Sequence, residues 1–205
     1  MKRPLALFAL ALAVAGCSGS LLGTHGDPPQ VYRIAGAPGS SAGAALPAAL
    51  AVARPRAASS LDTERIAVVR GGSGFDYFAG VRWSDPAPQM LQQLLVEALV
   101  ADGRFATAVA APSRVPAEFM LDVELREFAA FYETEAALPR ARVQWQVTLV
   151  DARAGTRVAS FLVESTAVAA ANRRDALIAA FQQATQSAVG ETVARIRAGT
   201  ESIAR

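Results

Sequence analysis

The sequence predicts an α+β fold: a mostly antiparallel sheet with two main amphipathic helices packed on one face. Three observations carry this. Phe119, Leu121, Val123 and Leu125 alternate with Met120, Asp122, Glu124 and Arg126, and Val143, Trp145, Val147 and Leu149 alternate with Gln144, Gln146 and Thr148. A period of two with one greasy side marks strands that bury one face. The turn-rich run Asp151-Ala152-Arg153-Ala154-Gly155-Thr156 follows, so Val158 to Thr166 should return as an antiparallel neighbour, the meander keeping one face toward water. Two other stretches, from Pro86 to about Ala101 and from Asn172 to about Ala198, repeat apolar residues at helical spacing.

At the start of the chain, Lys2 and Arg3 precede an apolar run from Leu5 to Val14, and Val14-Ala15-Gly16 lead to Cys17. A basic head, a short apolar core and small residues before a cut site make a secretory signal. The run falls short of the roughly 20 apolar residues of a membrane span. The small residues ahead of Cys17 resemble the bacterial lipobox, in which the Cys is acylated and becomes the first mature residue. The alternative is an ordinary cleaved signal with a coincidental Cys. The predicted organisation is therefore a signal peptide over 1–16, a lipidated flexible tether over 17–29 and one domain over 30–200.

Removing 16 residues from 205 leaves 189, enough for one domain with a sizeable core plus a tail. Lys2 and Arg3 leave with the signal, so the 20 basic residues fall to 18 against 18 acidic ones. A near-neutral mature chain lacks the basic excess of a nucleic-acid binder. A single Cys rules out an internal disulfide. No later segment is apolar enough to span a bilayer, so attachment rests on lipid. One acyl chain holds weakly and stable anchoring takes two or more; the lipoprotein resemblance implies three. Ser18 rather than Asp follows the Cys, which in such lipoproteins points to the outer membrane.

After the Ser/Gly/Thr tether, Val31 to Ile34 is a short strand, residues 35–48 a loop, and Leu50-Ala51-Val52 a second strand closed by Arg54-Pro55-Arg56. Ile66-Ala67-Val68-Val69 is a buried, β-branched strand. Gly71-Gly72-Ser73-Gly74 breaks it as a turn or mobile loop; without a Gly-Lys-Ser/Thr ending or a helix behind it, it is no phosphate loop. Phe75 to Trp83 resumes as an extended, aromatic stretch. Ser84 or Asp85 should cap the first helix, which tolerates Pro86 in its first turn. Met90, Leu91, Leu94, Leu95, Ala98 and Leu99 form its apolar face; Gln89, Gln92, Gln93 and Glu97 form its polar one. Asp102-Gly103 ends it. Phe105 to Ala110 is a strand and Pro112 to Pro116 a loop. Phe128 falls out of phase with the alternation before it, so a bulge is expected near Arg126–Phe128. Asn172, with Asp175 three residues on, should cap the last helix, whose buried face is Leu177, Phe181, Ala184, Ala188 and Ile196.

The lipobox, the early Tyr32 strand, Leu61-Asp62-x-x-Arg65-Ile66, the Phe75–Trp83 stretch and Trp83-Ser84-Asp85-Pro86 leading into a Gln- and Leu-rich helix together resemble the ABC-type transport auxiliary lipoproteins, the group with the PqiC-like proteins. The resemblance covers nearly the whole mature chain and includes no catalytic signature. It implies a periplasmic domain tied to the outer membrane, oligomeric, beside an MCE-domain protein and ABC transporter subunits that move lipid between membranes. Whether the domain itself holds a lipid ligand is open, because an apolar groove and a core look alike in sequence.

No catalytic residues, metal or cofactor are expected. The lone His25 lies in the tether with no partner ligands, which also excludes a Ser–His–Asp set. Glu133 and Glu135 read as solvated loop acids. Asp62 and Arg65 read as a structural pair. Tyr77, Arg82 and Trp83 are the candidate partner-binding residues, since exposed aromatics and Arg often carry interfaces. The competing reading, favoured for Trp83, has it plugging the junction of sheet and helix. The leading functional reading is thus a docking protein of lipid transport. The alternatives are an outer-membrane lipoprotein that activates a peptidoglycan synthase and, against the missing catalytic groups, a hydrolase of envelope lipids.

Overall fold

The computed structural model describes residues 28–36, 45–134 and 136–200. The predicted signal, Cys17, His25, most of the tether and Glu135 lie outside the described residues. In chain order the elements are β1 (Gln30–Tyr32), β2 (Leu46–Val52), β3 (Arg56–Ala57), β4 (Arg65–Arg70), β5 (Gly74–Trp83), α1 (Ala87–Asp102), β6 (Phe105–Ala110), β7 (Phe119–Tyr132), β8 (Arg140–Asp151), β9 (Thr156–Val168) and α2 (Arg174–Thr200).

β7 is the strand on which the sheet is built. Along one edge it pairs antiparallel with β8 over nearly its whole length, and β8 pairs antiparallel with β9. Along its other edge β2, β3 and β4 lie end to end, all parallel to it. β6 extends the sheet parallel to β2, β5 joins β4 antiparallel, and β1 adds to β5 in parallel. The α+β class holds, but the sheet is mixed, not mostly antiparallel. Alternation reports which face a residue takes and says nothing of strand direction. The signal for the parallel half was the unbroken apolar runs Leu50-Ala51-Val52 and Ile66-Ala67-Val68, all buried, as parallel strands tend to be. β3 escaped the sequence reading because two residues show no period.

The predicted bulge is present: the β7–β8 register slips between Leu125 and Glu127. The slip lets Phe119, Leu121, Val123, Leu125 and Phe128 all face the core. Both helices cover that face, α1 over β2 and β6 and α2 over β8 and β9, and they touch each other. Asp102 and Arg197 join their C-terminal ends, with Nη2 to Oδ1 at 2.6 Å. Arg104 reaches the end of α2, donating to Thr200 Oγ1 at 3.1 Å and to its carbonyl at 2.7 Å; a cation there suits the helix dipole.

Three local expectations need correction. Neither Ser84 nor Asp85 caps α1: its N-cap is Pro86, with no side-chain cap bond, while Asp85 accepts from Gln89 Nε2 at 3.0 Å. Gln92 is not on the polar face. It is buried, and its Nε2 donates to the carbonyls of Val52 and Ala111, both at 2.9 Å, fastening α1 to the ends of β2 and β6. Asn172 makes no capping box, because α2 begins at Arg174, with Leu177 N–H donating to the Arg173 carbonyl at 3.0 Å. The left-handed Gly103 does end α1, donating to Leu99.

Trp145 and Thr192 are both fully buried, and the indole Nε1 donates to Thr192 Oγ1 at 3.0 Å. Thr192→Val keeps the shape but leaves that N–H unpaired, which costs about 1–3 kcal/mol of unfolding free energy. Urea denaturation reads the loss; an unchanged midpoint would show that the bond adds nothing.

Candidate functional site

The candidate residues lie on β5, and the chain shapes β5 by two glycine features. Gly71 and Gly72 have φ of 55° and 79°, so they close the tight β4–β5 turn in a backbone region that other residues resist. Further on, the register passes from Ala67↔Tyr77 to Arg65↔Arg82, so residues 78–81 oppose residue 66 alone, with Gly80 at φ 68° inside the bulge. From the last bulge residue on, Val81 and Trp83 are buried and Arg82 is exposed.

Trp83 is 1% exposed. Its ring centroid lies 5.2 Å from Phe181 of α2, edge to face, and 5.6 Å from Phe128 of β7. It fills the seam where sheet and helix meet and presents nothing for a partner to touch. Arg82 is exposed and ion-paired with Glu64, itself exposed. Tyr77 is half-buried, its hydroxyl donating to the Ser60 carbonyl at 3.1 Å, with the Arg65 guanidinium 3.6 Å above its ring. Arg65 therefore does not pair with Asp62. Arg54 does, through two bonds of 3.1 and 2.6 Å. The Arg54 bond holds the Asp62 carboxyl below its usual range, and Asp62 in turn raises Arg54.

Phe75 was missed as a site residue. It stands 47% exposed, edge to face with Tyr77 at 5.4 Å; the signal was an aromatic directly behind a glycine turn, where no core lies. β1 covers only Val81 to Trp83 of β5, so among the described residues the outer edge of β5 from Gly74 to Gly80 has no strand partner. The surface thus combines an open strand edge, an exposed Phe, a half-buried Tyr and an outward Arg. Such an edge is a ready template for another chain.

The N-terminal end of the domain is stitched to α2. Ala35 exchanges two hydrogen bonds with the Gln182 amide at 2.8 and 2.6 Å, Tyr32 donates to Asp175 at 3.1 Å, and Arg174 donates to Gln30 at 2.9 Å. Partial burial, then Asp175, raises the Tyr32 phenol above its ordinary value. The point where the chain arrives from Cys17 is thereby fixed on the domain. Glu133 is paired with Arg140 at 3.0 Å. Among the described residues no three His, Cys, Asp or Glu side chains gather into a metal set, and no helix is long and apolar enough to cross a membrane.

Comparison with known proteins gives both a family and a fold. The profile of the family described as ABC-type transport auxiliary lipoprotein component matches residues 32–193. The crystal structure of protein XCC0632 from Xanthomonas campestris is similar at a TM-score of 0.78, with 23% identity, covering 85% of this chain and 98% of that one. The hypothetical protein CT253 from Chlamydia trachomatis is similar at a TM-score of 0.54, with 12% identity, covering 77% and 99%. At these identities the likeness is one of fold. No curated protein matches the chain.

Proposed function

The chain belongs to the ABC-type transport auxiliary lipoprotein family, and from that premise we propose that it is the docking lipoprotein of a lipid-moving system, held to the outer membrane by acyl chains on Cys17. The coarse role, an auxiliary component of a transport system, comes with the family. The finer one is that the domain seats an MCE-domain protein, served by ABC subunits, and so closes a route for lipid across the periplasm. The observation that carries it is the extent of the match: it spans residues 32–193, nearly the whole folded domain, and starts at the residue that pins the chain to α2. Its mechanism is anchoring and pairing rather than bond chemistry.

Docking is assigned to the β5 edge, with Phe75, Tyr77 and Arg82 around it. An incoming strand would complete the edge by main-chain hydrogen bonds, with the side chains choosing the partner. Trp83 supports this surface from beneath. A homo-oligomer belongs to the same proposal: β9, 13 residues long and among the described residues paired only with β8, offers a second open edge to another copy.

The test is purification of the tagged, acylated protein from its own cells in mild detergent, with partners identified by mass spectrometry. Recovery of an MCE-domain protein with its ABC subunits is expected. Recovery of a peptidoglycan synthase instead overturns the reading in favour of synthase activation. Phe75→Ser with Arg82→Glu should cut recovery about thirtyfold, the effect of losing roughly 2 kcal/mol at an interface hot spot, with thermal unfolding unchanged. Full recovery by that variant would remove the β5 edge from the interface.

A further inference from the structure

A cleft of about 530 Å³ opens where three segments meet. Arg70 and Gly71 come from the β4–β5 turn, Tyr132, Glu133 and Thr134 from the end of β7 and the loop after it, and Asn172 from the loop that enters α2. Its size falls among small-molecule sites. Its chemistry is two-signed.

On one side are donors, most of them exposed. The Arg70 guanidinium stacks over the Tyr132 ring at 5.0 Å, and among the described residues it has no carboxylate partner. Tyr132 donates to Asn172 Oδ1 at 3.4 Å. That long contact sets the amide oxygen toward Tyr132, and the exposed NH₂ makes no hydrogen bond to another described residue. The exposed Thr134 hydroxyl lies on the same side. Burial raises the Tyr132 phenol while Arg70 lowers it, the first effect prevailing, so it stays a donor at neutral pH. On the other side stands Glu133. It is an exposed side chain whose Oε1 is paired with Arg140 at 3.0 Å, so one carboxylate oxygen is left for a second cation.

A guanidinium, an amide NH₂ and a hydroxyl around one space suit phosphate oxygens, which Arg binds in a fork that Lys cannot match. A ligand that was only anionic would leave the Glu133 oxygen not held by Arg140 without a partner; one that was only cationic would meet Arg70. We infer that the cleft binds a zwitterion of the phosphoethanolamine type, its phosphate on Arg70, Asn172 and Thr134 and its ammonium on Glu133.

Two sources share this chemistry, a phospholipid headgroup and a free phosphate ester. The place of the cleft favours the headgroup, and this step rests on the anchoring proposed above. Asn172 leads into α2, and the first residues of α2 hold Gln30 and Tyr32, where the chain arrives from Cys17. Cleft and tether entry therefore sit at one end of α2. Thirteen residues from Cys17 to Gln30 reach at most about 45 Å, so the cleft stays within reach of the membrane that holds the anchor.

The test uses the full acylated protein in detergent micelles, titrated by calorimetry with glycerophosphoethanolamine, glycerophosphate and inorganic phosphate. Saturable binding is expected for the first, weakened about tenfold by Arg70→Ala and partly restored by Arg70→Lys, the pattern of a lost charge-assisted fork. Glu133→Gln should weaken glycerophosphoethanolamine and spare the two phosphates. Thermal unfolding of each variant separates lost contact from lost fold. Absence of saturable binding, or equal binding of all three ligands with a silent Glu133→Gln, overturns the inference. Nanodiscs then separate the sources: crosslinking to the cleft from phosphatidylethanolamine but not phosphatidylcholine discs supports the headgroup, while binding confined to the soluble ester supports the free form. The titration needs neither anchor nor partner, so its failure and the failure of the docking reading are seen separately.

Discussion

With alanine at Cys17, behind an ordinary cleaved signal in place of residues 1–16, the protein is expected in the soluble periplasmic fraction, and its cells behave as if they lacked it. Each acyl chain contributes roughly 0.8 kcal/mol per buried CH₂; one chain binds reversibly, and two or more make release negligible. Without the chains the domain meets its partner only at bulk concentration, and the local millimolar enrichment that tethering gives is lost, a fall of at least about a hundredfold in occupancy. The fold should not change. The described core begins at Ile34 and is built from residues beyond the tether, so the melting temperature of the soluble form should equal that of the acylated one. Fractionation, unfolding and complementation of a deletion strain read the three parts. Full complementation by the unacylated form would end the anchoring proposal.

The elements legible in the sequence were those whose burial follows a simple period. The alternation of β7 and β8, the bulge announced by Phe128 out of phase, and the Leu177–Phe181–Ala184–Ala188–Ile196 stripe of α2 all appear where the pattern put them. Strand direction was hidden, because parallel and antiparallel neighbours bury the same side chains. Polar residues that work inside were hidden too: Gln92 reads as surface, yet its amide is needed where two strand ends leave carbonyls open beside a helix. The β5 surface was half legible. Tyr77 and Arg82 were found from residue type, whereas the bulge that turns Arg82 outward and Trp83 inward depends on Gly80 and on β1 arriving from 50 residues upstream. The Arg70–Tyr132–Asn172 cleft had no local signal, since its three contributors are brought together only by the pairing of β4 with β7 and by the entry to α2.

Trp83 and Arg82 are neighbours in sequence and opposites in what their loss should do. Trp83→Ala empties a volume closed by Phe128 and Phe181, and a buried Trp or Phe cut to Ala costs about 3–5 kcal/mol. Against the roughly 5–15 kcal/mol that holds a domain of this kind folded, that is a large share, and at about 2–4 °C per kcal/mol it lowers the melting point by about 10–15 °C. Below that lower midpoint the folded fraction keeps its β5 edge, so partner recovery per folded molecule should stay near the original. Arg82→Glu reverses the pattern. Its exposed pair with Glu64 is worth less than about 1 kcal/mol, so melting hardly moves while recovery falls, because the charge that faces the partner has changed sign. Unfolding curves and partner recovery, measured on both variants, separate the two roles. If Trp83→Ala melts like the original protein and yet loses its partner, the indole is a contact residue, and the seam between sheet and helix must open for docking to occur.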